Sequence, residues 1–108
     1  MKTLKISLEY KCFPIWIYDE NDVFVDNDLP EDIMQNKELD AKLVKLQEIF
    51  DSLYVDTPRE FHARNFETEE ERMRFLSLLF ECKEILETQY GSRYRIECKY
   101  TPDSFQNI

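Results

Sequence analysis

The chain reads as an α+β protein of two layers: an antiparallel-rich sheet, with elements in the order β-β-β-α-α-β, and two helices covering one face of that sheet. Three observations predict this. Both ends of the chain alternate apolar and polar residues, two internal stretches carry apolar residues at steps of three and four, and turn-forming sequences separate the early strands.

Leu4, Ile6, Leu8 and Tyr10 alternate with Lys5, Ser7, Glu9 and Lys11, the period of a strand with one buried and one wet face. Phe13 to Tyr18 is apolar on both faces. Pro14 lacks a ladder donor and belongs at a strand start or edge, so Ile15 to Tyr18 is the better paired part. Asp19-Glu20-Asn21-Asp22 is a turn sequence, and Val23-Phe24-Val25 is the returning arm of a hairpin. Beyond Leu29-Pro30 the period changes. Leu39, Leu43, Leu46, Phe50 and Leu53 form one helix face, with Asn36 as N-cap. Thr68-Glu69-Glu70-Glu71 is a capping box for a second helix whose stripe is Phe75, Leu78, Leu79, Cys82, Ile85 and Leu86. A subsidiary stripe of Met73, Leu76 and Phe80 is either covered by the first helix or an interface. Gly91, the only glycine, is expected to stop this helix in the left-handed conformation. Tyr94, Ile96, Cys98 and Tyr100 then alternate with charged residues as a last strand, and the tail from Thr101 is expected to fray. Val55 to Phe66 is the one long irregular connection, of a length that is often functional or hides a short element.

The composition supports a packed core. The 108 residues are 43% hydrophobic and include eight Phe, six Tyr and one Trp, against one Gly and four Pro. That suits one domain spanning residues 1–108 and excludes collagen-like, low-complexity and linker classes. The start, Met1 to Ser7, lacks the apolar run of a secretory signal, and no apolar run approaches the length of a membrane span. Cys12, Cys82 and Cys98 are odd in number and widely spaced, so buried thiols are expected rather than a disulfide framework or a zinc site. The expected location is the cytoplasm.

The net charge of −9 is local. Residues 1–18 carry net +2, residues 19–60 net −9 and residues 61–108 net −2. Asp19, Glu20, Asp22, Asp26, Asp28, Glu31 and Asp32 fall within fourteen residues that contain no base. This block is expected at one end of the sheet, while the wet faces of the first and last strands hold Lys5, Lys11, Arg93, Arg95 and Lys99 against Glu9 and Glu97. Such acidity opposes nucleic-acid binding and favours a basic partner, whose association it would accelerate. The bland alternative is a solvated face that serves solubility. A calcium loop is excluded: Asp19-x-Asn21 opens like an EF-hand, but Phe24 stands where glycine is needed and Pro30 where the bidentate carboxylate belongs.

No catalytic constellation stands out. His62, the single histidine, lies between Arg59 and Arg64 and could sketch a phosphodiester-cleaving site, but no second histidine, nucleophile elbow or phosphate loop accompanies it. Neither a metal nor a cofactor is expected. Phe13, Trp16 and Tyr18 exceed what one core face needs. The first expectation is a central strand buried on both sides; the second is that Trp16 or Tyr18 anchors a partner.

Three segments, Leu4-Lys5-Ile6-Ser7-Leu8-Glu9-Tyr10, Cys12-Phe13-Pro14-Ile15-Trp16-Ile17-Tyr18-Asp19-Glu20-Asn21 and Asp26-Asn27-Asp28-Leu29-Pro30-Glu31, carry a resemblance. Over this first third the chain resembles small cytoplasmic immunity proteins of bacterial polymorphic and contact-dependent toxin systems, and its size, acidity and layout are similar throughout. The resemblance implies a non-enzymatic protein that binds a cognate toxin domain, often a nuclease, and blocks its active site or substrate channel. It brings no catalytic residues. A basic nuclease groove would accept an acidic hairpin, so Asp19, Glu20, Asp22, Asp26 and Asp28 are the expected contact set, with Trp16 or Tyr18 as apolar anchors. The basic sheet face is the other possible contact surface. A non-catalytic adaptor whose acidity serves solubility is the alternative function.

Overall fold

A computed structural model of the chain describes residues 1–106. Four strands, β1 (Lys2–Ile6), β2 (Ile15–Tyr18), β3 (Phe24–Asp26) and β6 (Tyr94–Cys98), form a sheet in the order β3-β2-β1-β6. The neighbours β1–β2 and β2–β3 are antiparallel, and β6 joins β1 in parallel after the chain has crossed through the helices. The fold is thus α+β with a mixed, mostly antiparallel sheet.

The helices are α1 (Lys37–Asp51) and α2 (Glu69–Tyr90). Asn36 caps α1 by accepting from the Leu39 amide at 3.1 Å, while its own Nδ2 donates to the Tyr90 hydroxyl at 3.0 Å, so one residue starts α1 and ties it to the end of α2. Thr68 caps α2 through the Glu71 amide at 3.1 Å. Both helices lie on the same sheet face. Leu4, Ile6, Ile15 and Ile17 from the strands meet Leu39 and Leu43 of α1 and Cys82, Leu86 and Tyr90 of α2. A second cluster, Leu8, Leu46, Phe50, Phe66, Phe75 and Leu79, fills the other end between the helices. Each of these aliphatic side chains contributes about 1.5–3 kcal/mol on full burial.

Several expectations need correction. The alternation continues to Tyr10, yet β1 ends at Ile6, because Leu8 drops into the second cluster and its amide bonds the Tyr100 hydroxyl at 2.7 Å instead of a ladder partner. The strand read as buried on both sides is buried on one: Ile15 and Ile17 are covered by helices, whereas Trp16 and Tyr18 stay half-buried on the open face. The long connection is not irregular throughout: it hides a short element, as its length allowed, the hairpin of β4 (Tyr54–Asp56) with β5 (Phe61–Ala63), which forms a separate two-stranded sheet. Gly91 is right-handed, φ −64°, ψ −18°. Glycine is needed there for space, since a Cβ would collide with the Glu87 carbonyl oxygen. In the subsidiary stripe of α2, Leu76 is buried, Phe80 half-buried and Met73 exposed.

The tail also departs from expectation as far as Gln106; Asn107 and Ile108 lie outside the described residues. Arg72, 4% exposed, donates from Nη1 to the carbonyls of Pro102 and Ser104 at 2.9 and 2.8 Å and pairs with Glu69. Phe105 packs beside Phe75, Phe66 and Tyr100. A clamped backbone and a seated ring hold this segment against the helices.

Candidate functional site

The β2–β3 hairpin gathers most of the residues singled out in the sequence. Its turn is fixed by Asp19, whose Oδ1 accepts from the amides of Asn21 and Val23 at 2.8 and 3.0 Å while its amide donates to the Val23 carbonyl at 2.9 Å. Asp22 takes a positive φ of 65°, a conformation that Asp and Asn tolerate better than most residues. One carboxylate is therefore consumed in building the turn. The side chains of Glu20 and Asp22 project with no partner among the described residues.

The register divides the acidic block rather than presenting it at one end. Tyr18 pairs with Phe24 and Ile17 with Asp26, so β3 carries a bulge at Val25 and runs away from the turn. Asp26 and Asp28 sit at the foot of the hairpin, where each accepts the amide of the next residue at 2.8 Å. Asn27 locks that foot, donating to the carbonyls of Phe13 and Ile15 at 2.6 and 2.8 Å and accepting from the Phe13 amide at 3.0 Å. Asp32 faces β6. Its carboxylate pairs with Arg93 at 2.8 Å and accepts from the Tyr94 hydroxyl at 2.7 Å. Partial burial, then that bond, pushes the Tyr94 phenol up to about 12.

Apolar surface adjoins the acids. Val23, Phe24 and Val25 are 58%, 51% and 51% exposed. Phe24 leans over the open sheet face, its ring centroid 5.9 Å from that of Trp16 and 6.0 Å from that of Tyr18. Lys5 lies over the Tyr18 ring at 5.0 Å, and Trp16 Nε1 donates to the Ser7 carbonyl at 2.9 Å, fixing the indole. Trp16 and Tyr18 are thus brought together, with Phe24 as a third member that sequence reasoning missed. Its signal was present in the pattern: a three-residue returning arm with no polar position cannot bury all of its side chains against a sheet edge.

The catalytic sketch around His62 does not assemble. His62 is exposed on β5 with Nε2 3.2 Å from Glu60, while Arg64 is turned away to donate to the Ser52 carbonyl at 2.7 Å. Among the described residues no group of three or more His, Cys, Asp or Glu side chains is placed to hold a metal ion, and no helix is long and apolar enough to cross a membrane. The hairpin edge and the open sheet face are surfaces suited to protein contact.

No curated protein matches the chain. A family model described as Serratia CdiI immunity protein-like matches residues 2–103, extending over both helices and β6 a resemblance carried by the first third alone. CdiI immunity proteins are non-catalytic; they bind and neutralise the CdiA toxin of a contact-dependent inhibition system. A match over nearly the whole length shows that this chain belongs to the Serratia CdiI immunity protein-like family.

Proposed function

We propose that the chain, acting as one domain in the cytoplasm of the toxin-producing cell, neutralises its cognate CdiA toxin by seating the β2–β3 hairpin in a basic groove of a nuclease domain. The observation that carries this reading is a rigid turn with unpaired carboxylates on Glu20 and Asp22, continuous with exposed Val23, Phe24 and Val25. Preorganisation lowers the ordering cost of binding, free carboxylates steer a basic partner, and the aromatic group of Trp16, Tyr18 and Phe24 supplies apolar contact where hot spots concentrate. Asp19 supports the turn from within. Asp26 and Asp28 extend the negative edge along the foot.

The test is binding kinetics against the cognate toxin domain. Reversing Asp22 and Asp26 together to Lys lowers the association rate about tenfold at low salt and flattens its salt dependence, while Phe24→Ala mainly raises the dissociation rate. Asp22→Asn, which retains the left-handed preference, separates charge from turn geometry. Unchanged kinetics across a salt series would remove the hairpin from the interface.

A further inference from the structure

The sheet has two edges, and they are built differently. At β3 the edge is three residues long, bulged and flanked by acids, devices that keep other strands away. At β6 the edge is five residues long, pairs in unbroken register with β1, and carries neither proline nor bulge. An open groove of about 930 Å³ follows this edge, lined by β6 residues from Tyr94 to Cys98, by Lys5 on the open face and by Lys83 and Glu87 of α2. The inner side chains of β6 are incompletely covered. Ile96 and Cys98 are half-buried, although their β1 neighbours Leu4 and Ile6 are fully buried.

We infer that this edge pairs with β6 of a second copy of the chain, antiparallel about a two-fold axis at Ile96. The strand itself supplies the argument. Residues 94–98 are centred on Ile96, so self-pairing about that residue uses the whole strand and sets Arg95 of each copy opposite Glu97 of the other, both on the outer face. Shifting the axis to Glu97 would oppose two glutamates. On the groove wall, Lys83 and Glu87 lie one turn apart, 3.4 Å between charged atoms. The short turn from Tyr90 to Tyr94 makes α2 run against β6, so the same two-fold turns Lys83 of one copy toward Glu87 of the other. Arg93, which would meet Lys99 in this register, is drawn away by Asp32 and the Tyr90 ring. The product is an isologous dimer with one continuous sheet, its helices on one side and both acidic hairpins at the outer edges.

Sedimentation velocity of the full chain from about 10 to 500 μM reads the equilibrium directly. The expected result is a concentration-dependent dimer. Arg95→Glu or Glu97→Arg alone opposes like charges twice per dimer and weakens self-association about tenfold, with folding confirmed by circular dichroism. The swapped double variant R95E/E97R restores it, and an equimolar mixture of the two single variants forms the heterodimer. A wild-type chain that stays monomeric over this range overturns the inference. So does a dimer indifferent to both single substitutions, or single variants that alter toxin binding and leave self-association unchanged.

Discussion

At the scale of single residues, burial decides what the ionisable groups do. Cys82 is fully buried between α2 and the sheet, and desolvation pushes its thiol up to about 12. Because the folded value lies above the ordinary 9.0, the neutral thiol's contribution to stability is complete below pH 9 and is lost as pH rises toward 12. Labelling at pH 8 is therefore expected to modify Cys82 only at the rate of unfolding; prompt modification in buffer would show that the α2–sheet packing opens locally. Glu69 shifts the other way. Its hydrogen bond with Arg72, Nε to Oε2 at 3.0 Å, holds the carboxyl below its ordinary 4.5. The stability it adds is present above pH 4.5 and disappears as pH falls through the lowered value. Urea midpoints of the wild type and Glu69→Gln should differ at neutral pH and converge in acid. A gap that does not narrow would mean that Glu69 acts through something other than its charge.

At the scale of elements, legibility follows from how local the causes are. The helices were readable because their signals lie within a few residues: Asn36 and Thr68 cap the ends at which they were expected, and the three-four spacing of Leu39, Leu43, Leu46 and Phe50 marks the buried face. Thr68→Ala removes the acceptor for the Glu71 amide and is expected to cost about 1 kcal/mol, read as a lower urea midpoint with an unchanged slope. The β4–β5 hairpin was not readable, because its strands are three residues long and its support is remote. Tyr10, some forty residues earlier, stacks on Tyr54 at 4.5 Å, meets Phe61 at 5.4 Å and donates to Asp56 at 3.1 Å. Likewise no local pattern says that Trp16 and Tyr18 face open surface; that depends on both helices choosing the opposite side of β2. The acidic turn was legible as a turn. Its division from Asp26 and Asp28 rests on the pairing of Ile17 with Asp26, which composition cannot encode.

At the scale of the whole molecule, the excess of nine negative charges sits on a body of 41 × 30 × 25 Å. Screening extends about 30 Å at 0.01 M salt, so every carboxylate then feels nearly all the others, whereas at 0.15 M it extends about 8 Å and only neighbours count. The exposed pairs along α2 offset little of this repulsion. Arg74–Glu70 is exposed on both sides and Lys83–Glu87 is substantially exposed, and pairs of that kind add little to stability. The carboxylates of Glu20 and Asp22 in the β2–β3 turn add repulsion with no compensating side-chain contact among the described residues. Raising sodium chloride from about 0.01 to 0.15 M should therefore raise the melting temperature by a few degrees. Neutralising Glu20 and Asp22 to Gln and Asn should raise it at low salt and shrink the salt effect, because the variant starts with less repulsion to screen. A melting temperature that falls with salt would show that attraction outweighs repulsion across the fold, and that the hairpin acids are held by the protein's own field instead of standing against it.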